Sequence, residues 1–273
     1  MKFVEMLKAR WGTADTLLCV GLDPDPGRFP ERLRRSPDSI YQFCTLIVDA
    51  TADFVCAFKP QIAYFASASA EDALQRLIAY IRTTHPAIPV ILDAKRGDMA
   101  STAQHYAREV FERYDAHAVT LSPYLGFDSI EPYLAYADRG VFLLCRTSNA
   151  GGDDLQMLQV EGERLYERVA RLAVGWNRSG QLGLVVGATY PRELARVRAL
   201  VGEMPLLVPG IGAQGGDVEG SVKAGQTADG AGIVVNSSRA IIYASGNDDF
   251  AEAARHAAQK ARDEINRYRF ATA

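Results

Sequence analysis

The chain is poor in the residues that build metal and disulfide sites. It has four cysteines and four histidines in 273 residues. Cys19, Cys44, Cys56 and Cys145 sit singly among apolar neighbours, with no C-x-x-C pair. This excludes a disulfide scaffold and predicts reduced core thiols, as in a cytoplasmic protein. His85, His105, His117 and His256 are scattered without metal-ligand spacing, so no metal site is expected and each histidine reads as structural or surface. No uncharged apolar run approaches the ~18 residues needed to cross a bilayer. Met1 to Trp11 carries Lys2, Glu5, Lys8 and Arg10, which predicts a short amphipathic helix and not a signal peptide. A net charge of −3 leaves no basic footprint for nucleic acid.

What the chain does have is alternation. Short apolar runs at Leu17–Leu22, Val55–Phe58, Ile88–Leu92, Ala118–Leu121, Val141–Cys145, Leu182–Val186, Pro205–Val208 and Gly232–Val235 read as strands. Helical periodicity fills the intervals: Ser36-Pro37 opens one helix, with Ile40, Phe43, Cys44, Ile47 and Val48 on its apolar face. Further helices are predicted near 71–84, 101–114, 129–137, 157–176, 191–200, 217–224 and 249–268. Eight strands alternating with helices predict a single (β/α)8 TIM barrel over residues 1–273, with a doubly wound sheet as the alternative.

In such barrels the chemistry sits at the C-terminal ends of the strands. The third run ends in Asp93-Ala94-Lys95, and Asp98 follows Gly97. Residues two apart on a strand face one side, so Asp93 and Lys95 are expected to project together. Buried charge is costly unless paired, so this D-x-K-x-x-D array is either a structural ion pair with Asp98 capping the next helix or a device for managing a charged substrate. The first run ends in Asp23 and the second in Lys59, adding an acid and a base at the same mouth. The seventh is followed by Pro209-Gly210-Ile211-Gly212-Ala213-Gln214-Gly215-Gly216. Its glycines match a dinucleotide fingerprint literally, but the position after the seventh strand fits phosphate better. Arg239, after Ser238 on the eighth, supplies donors suited to phosphate oxygens.

These residues resemble the orotidine 5′-phosphate decarboxylase family. The resemblance rests on Asp93, Lys95, Asp98 and Thr102, and on Gly21-Leu22-Asp23, Phe58-Lys59-Pro60, Thr147-Ser148-Asn149, the glycine loop and Ser238-Arg239. It spans nearly the whole chain and is closest to the longer bacterial branch. It implies a cofactor-independent decarboxylase of orotidine 5′-monophosphate in pyrimidine synthesis. Lys95 would protonate the ring carbon, and Asp93 would sit near the departing carboxylate. Asp98 and Thr102 would reach a neighbouring subunit's site in a homodimer, although five residues of extended chain span ~17 Å and the sequence allows either site. Asp23 and Lys59 would hold ribose hydroxyls and Ser148 the pyrimidine edge. Gln214 and Arg239, with Pro209, Gly215, Gly216 and Ser238 around them, would bind the phosphate. Many relatives have glycine in place of Ser238, so a contact there is expected through its backbone N–H. Two rivals stay open on the residues alone: a magnesium-dependent barrel enzyme acting on sugar phosphates, and a nucleotide-binding protein without turnover.

Overall fold

Apolar runs covered on both faces become central parallel strands. In the computed structural model, which describes residues 1–211 and 217–269, all eight predicted runs do so. They are β1 (Leu18–Leu22), β2 (Ala57–Pro60), β3 (Ile91–Arg96), β4 (Ala118–Leu121), β5 (Gly140–Arg146), β8 (Leu182–Val186), β9 (Leu206–Pro209) and β10 (Ile233–Ser237). Their spatial order is β2-β1-β10-β9-β8-β5-β4-β3, every pairing parallel. The two ends of that order meet through bridges Phe58–Val90 and Gln61–Asp93, and the Phe58 N–H donates to Pro89 O at 3.1 Å. The sheet is therefore a barrel, and the doubly wound alternative is excluded.

Helices cover its outside with apolar stripes. The helix Glu71–Thr84 buries Ala73, Leu74, Leu77, Ile78 and Ile81, positions that recur at helical spacing. The N-terminal helix Phe3–Thr13 closes on the start of β5. Its Phe3 ring stands edge-on to Phe142 at 5.8 Å, and the Phe3 N–H donates to Asp138 O. Gly140 makes room for that ring: a Cβ there would lie 2.1 Å from Phe3 Cδ1.

Three helix boundaries differ from the periodicity reading. The helix after Ser36-Pro37 begins at Ser39, with Asp38 at its cap. Ser36 is used in a turn instead, its hydroxyl accepting the Asp38 N–H and its carbonyl the Ser39 N–H. The segment expected as a helix from 157 first forms a hairpin, β6 (Gln159–Val160) with β7 (Glu163–Arg164). Glu161 and Gly162 both take positive φ, 52° and 85°, as a two-residue hairpin turn requires. The helix starts only at Leu165. The expected helix 129–137 shrinks to Glu131–Leu134.

His117 leads into β4 and accepts the Val90 N–H at Nδ1 (3.0 Å), while the Arg82 guanidinium faces Nε2. Burial, reinforced by Arg82 and Arg139, pushes its pKa down to about 4. The unfolded chain therefore binds the extra proton between the ordinary histidine value and about 4, and folding stability falls as pH drops through that window. We expect the thermal midpoint to decline from pH 6.5 to 4.5, with a shallower decline in His117→Gln (both pH values are about the edges of this window). At Gly140 we expect Gly140→Val to cost about 2 kcal/mol in urea unfolding, with partial recovery on adding Phe3→Ala; an additive double variant would exclude the Phe3 contact as the cause.

Candidate active site

Strand burial is complete in β1, β2 and β10, whereas β3 opens to solvent over its last three residues. There the charges gather. Lys59 at the end of β2 is 4% exposed and Asp93 on β3 is 7% exposed. Lys59 Nζ donates to Asp93 Oδ2 at 2.8 Å, and Lys95 Nζ donates to Asp93 Oδ1 at 2.6 Å. The Thr120 hydroxyl on β4 adds a third bond to Oδ1 at 2.8 Å. Lys59 thus does not snorkel to water; it is a buried ammonium with a dedicated counter-charge.

Burial alone raises a carboxylic acid's pKa, but the charges of Lys59 and Lys95 outweigh it and hold Asp93 well below the usual carboxylate range. For Lys59 burial works downward, and Asp93 and Asp23 reverse it, so its ammonium is retained above the ordinary lysine value. Asp23, Lys59, Asp93 and Lys95 form an alternating set of acids and bases along one wall.

The expected same-side projection of Asp93 and Lys95 occurs, but not by strand alternation. Pairing of β3 with β4 steps from Leu92–Val119 to Arg96–Leu121, leaving a bulge over Asp93, Ala94 and Lys95. Lys95 takes φ 44°, a left-handed conformation that costs about 1 kcal/mol in a residue with a side chain. The bulge turns Lys95 back over Asp93 and leaves its side chain 48% exposed at the cavity.

That cavity, of about 660 Å³, lies over the barrel mouth. It gathers Asp23, Lys59, Asp93, Lys95, Ser148, Pro209, Ser238 and Arg239 from the residues predicted by sequence. Ser238 Oγ donates its single proton to Asp23 Oδ2 at 2.6 Å, with Gly21 O 3.1 Å away, so its side chain orients Asp23. Arg239 lies exposed at the rim, opening the short helix Arg239–Ile242. Ser148 is held against Gly187, where a Cβ would lie 2.8 Å from its backbone. Beneath it Arg146, 1% exposed, bonds Asp153 at 2.5 Å and lies 3.7 Å over the Tyr190 ring.

Asp98 and Thr102 stay outside this cavity. Asp98 Oδ1 accepts the Met99 N–H at 2.9 Å, just ahead of the helix Ala100–Arg108, and Thr102 is exposed on that helix. Gln214, Gly215 and Gly216 lie outside the described residues. The sequence reading missed Gln61, Tyr64, Thr120 and Gln156, which also line the cavity, as does Asn236 near the end of the eighth run. Gln61 stands at a strand end and could have been read there; Gln156 closes the helix Asp153–Gln156, which is too short to show a periodic signal. Among the described residues no group of three His, Cys, Asp or Glu side chains is placed to hold a metal ion.

The model of the orotidine 5′-phosphate decarboxylase / HUMPS family matches residues 16–256. The chain belongs to the orotidine 5′-phosphate decarboxylase family. An orotidine 5′-phosphate decarboxylase of Azoarcus sp. is 66% identical over 270 residues, covering 98% of this chain and all of that one. The Ralstonia nicotianae protein of the same name is 64% identical over the same shares. Among solved structures, Leishmania donovani OMP decarboxylase superposes with a TM-score of 0.86 at 42% identity, each chain fully covered. Leishmania donovani UMP synthase gives 0.88 at 43% identity, and there this chain spans only 57% of the larger protein.

Because Lys59 is buried and leans on one carboxylate, we expect Asp93→Asn to lower unfolding free energy by about 3 kcal/mol in urea titrations at neutral pH. An unchanged midpoint would show that Asp93 is not what compensates the Lys59 charge.

Proposed function

We propose that this chain decarboxylates orotidine 5′-monophosphate to uridine 5′-monophosphate without a cofactor, in pyrimidine nucleotide synthesis. The observation that carries the reading is the Asp93 carboxylate pinned between two ammonium groups at the cavity wall. Loss of CO2 leaves the bonding electron pair on the ring carbon, where the substrate offers no electron sink. A preorganised ammonium stabilises that charge, and a proton from it completes the reaction.

In this reading Lys95 is the donor: its Nζ proton passes to the ring carbon, and the neutral amine regains a proton from solvent. The half-exposed Lys95 side chain supports this role, because it meets both the cavity and water. Asp93 lies beside the departing carboxylate and keeps Lys95 aimed. Its own charge near the substrate's carboxylate also works against the ground state. Lys59 and Asp23 take the ribose hydroxyls, and Ser148 meets the pyrimidine edge. Arg239, Ser238, Pro209, Gln214, Gly215 and Gly216 surround the phosphate, whose binding energy orients a distant reacting carbon.

Asp98 and Thr102 complete the site of a neighbouring subunit in a homodimer. Their place outside their own chain's cavity supports that assignment. The whole chain acts as one barrel domain in the cytoplasm; no described helix is long and apolar enough to cross a membrane.

The test is turnover of orotidine 5′-monophosphate in EDTA, followed by loss of orotate absorbance. We expect metal-free turnover that drops by about 10³-fold or more in Lys95→Ala, with uridine 5′-monophosphate still bound. Equal loss of turnover and nucleotide binding in that variant would contradict the role given to Lys95. Arg239→Ala should act differently, raising KM by about 10-fold or more with a smaller effect on kcat.

A further inference from the structure

The bulge in β3 carries the residues that matter most to the site, and a bulge breaks the ladder that would hold it. Between the pairs Leu92–Val119 and Arg96–Leu121, Thr120 alone faces Asp93, Ala94 and Lys95. Two backbone N–H groups in this stretch, those of Ala94 and Lys95, have no strand partner across the gap. The Thr120 hydroxyl takes both, at 3.1 and 3.0 Å. Thr120 is 1% exposed, so water is not at hand to replace it.

A hydroxyl has two acceptor positions and one proton. With two N–H groups on its oxygen, the Thr120 proton has one direction left, and Asp93 Oδ1 lies there at 2.8 Å. Lys95 Nζ bonds that same Oδ1. One side chain therefore secures the left-handed backbone from which Lys95 departs and the carboxylate oxygen on which its ammonium lands.

We propose that Thr120 is a positioning residue for Lys95: its hydroxyl aims the ammonium by fixing both ends of the Lys95 side chain's path. The inference rests on the reading of Lys95 as proton donor. In this role Thr120 acts through Lys95 and Asp93 and not on the substrate directly. Losing its hydroxyl should leave the nucleotide-binding groups in place and misplace the donor.

The experiment compares Thr120→Val, which keeps shape without the hydroxyl, with Thr120→Ser, which keeps the hydroxyl. Each is assayed for kcat and KM with orotidine 5′-monophosphate and for uridine 5′-monophosphate affinity by calorimetry. For Thr120→Val we expect kcat to fall by about 100-fold, with KM and nucleotide affinity within about threefold of the parent. Thr120→Ser should recover at least about tenfold of that loss. Near-parental kcat in Thr120→Val, or a serine variant as poor as the valine one, would overturn the inference. So would a KM that rises in step with the fall in kcat. If Thr120→Val does not bind nucleotide, Thr120→Ala is judged by the same criteria; failure of both to bind while Thr120→Ser is sound would assign the hydroxyl to folding and also overturn the inference. Lys95→Ala, run alongside, separates the two ideas. Turnover surviving in Lys95→Ala refutes the donor reading, whereas a dead Lys95→Ala beside a fully active Thr120→Val refutes only the positioning.

Discussion

A carboxylate taken out of water must be given back its hydrogen bonds, and in this barrel Asp93 receives them from Lys59, Lys95 and Thr120. Those partners come from three adjacent strand ends, β2, β3 and β4. The barrel's closure between β2 and β3 brings the first two together. Lys59 could not be desolvated alone, and the buried acid beside it makes its charge tolerable. Much of what is unusual nearby follows from serving that one carboxylate: the bulge, the left-handed Lys95 and the buried threonine. The groups are already in place with the cavity open, so little dipole reorganisation is left for the reaction to drive.

The fold was legible because parallel strands covered on both faces demand uninterrupted apolar runs, and each of the eight runs became a strand. Helix boundaries were less legible where local hydrogen bonding competed with periodicity. Ser36 satisfies a turn before it can cap a helix. Residues 157–164 carry apolar side chains at positions that suit a helix, yet Glu161-Gly162 supports a tight turn and the chain folds back on itself.

Most of the site was legible where a charged or polar residue ended an apolar run, with Gln61 the exception. Asp23, Lys59, Asp93, Lys95, Ser148, Ser238 and Arg239 all stood out by that rule and all line one cavity. Thr120 did not stand out, because a threonine inside an apolar run is ordinary strand composition. Its importance comes from a register slip with its neighbour, which no single strand's sequence displays. Asp98 and Thr102 were legible as motif positions, but their spacing along the chain does not say which cavity they serve.

The N-terminal helix has a consequence for the order of events during synthesis. Phe3, Leu7 and Trp11 are buried in the finished molecule, and Phe3 finds its seat against Asp138, Gly140 and Phe142. Those residues leave the ribosome well after Phe3, so this helix emerges with its apolar face unsheltered. Its docking is a long-range contact that awaits β5. Residues 3–13 are thus secured later than their place in the chain would suggest, because their seat is a long-range contact.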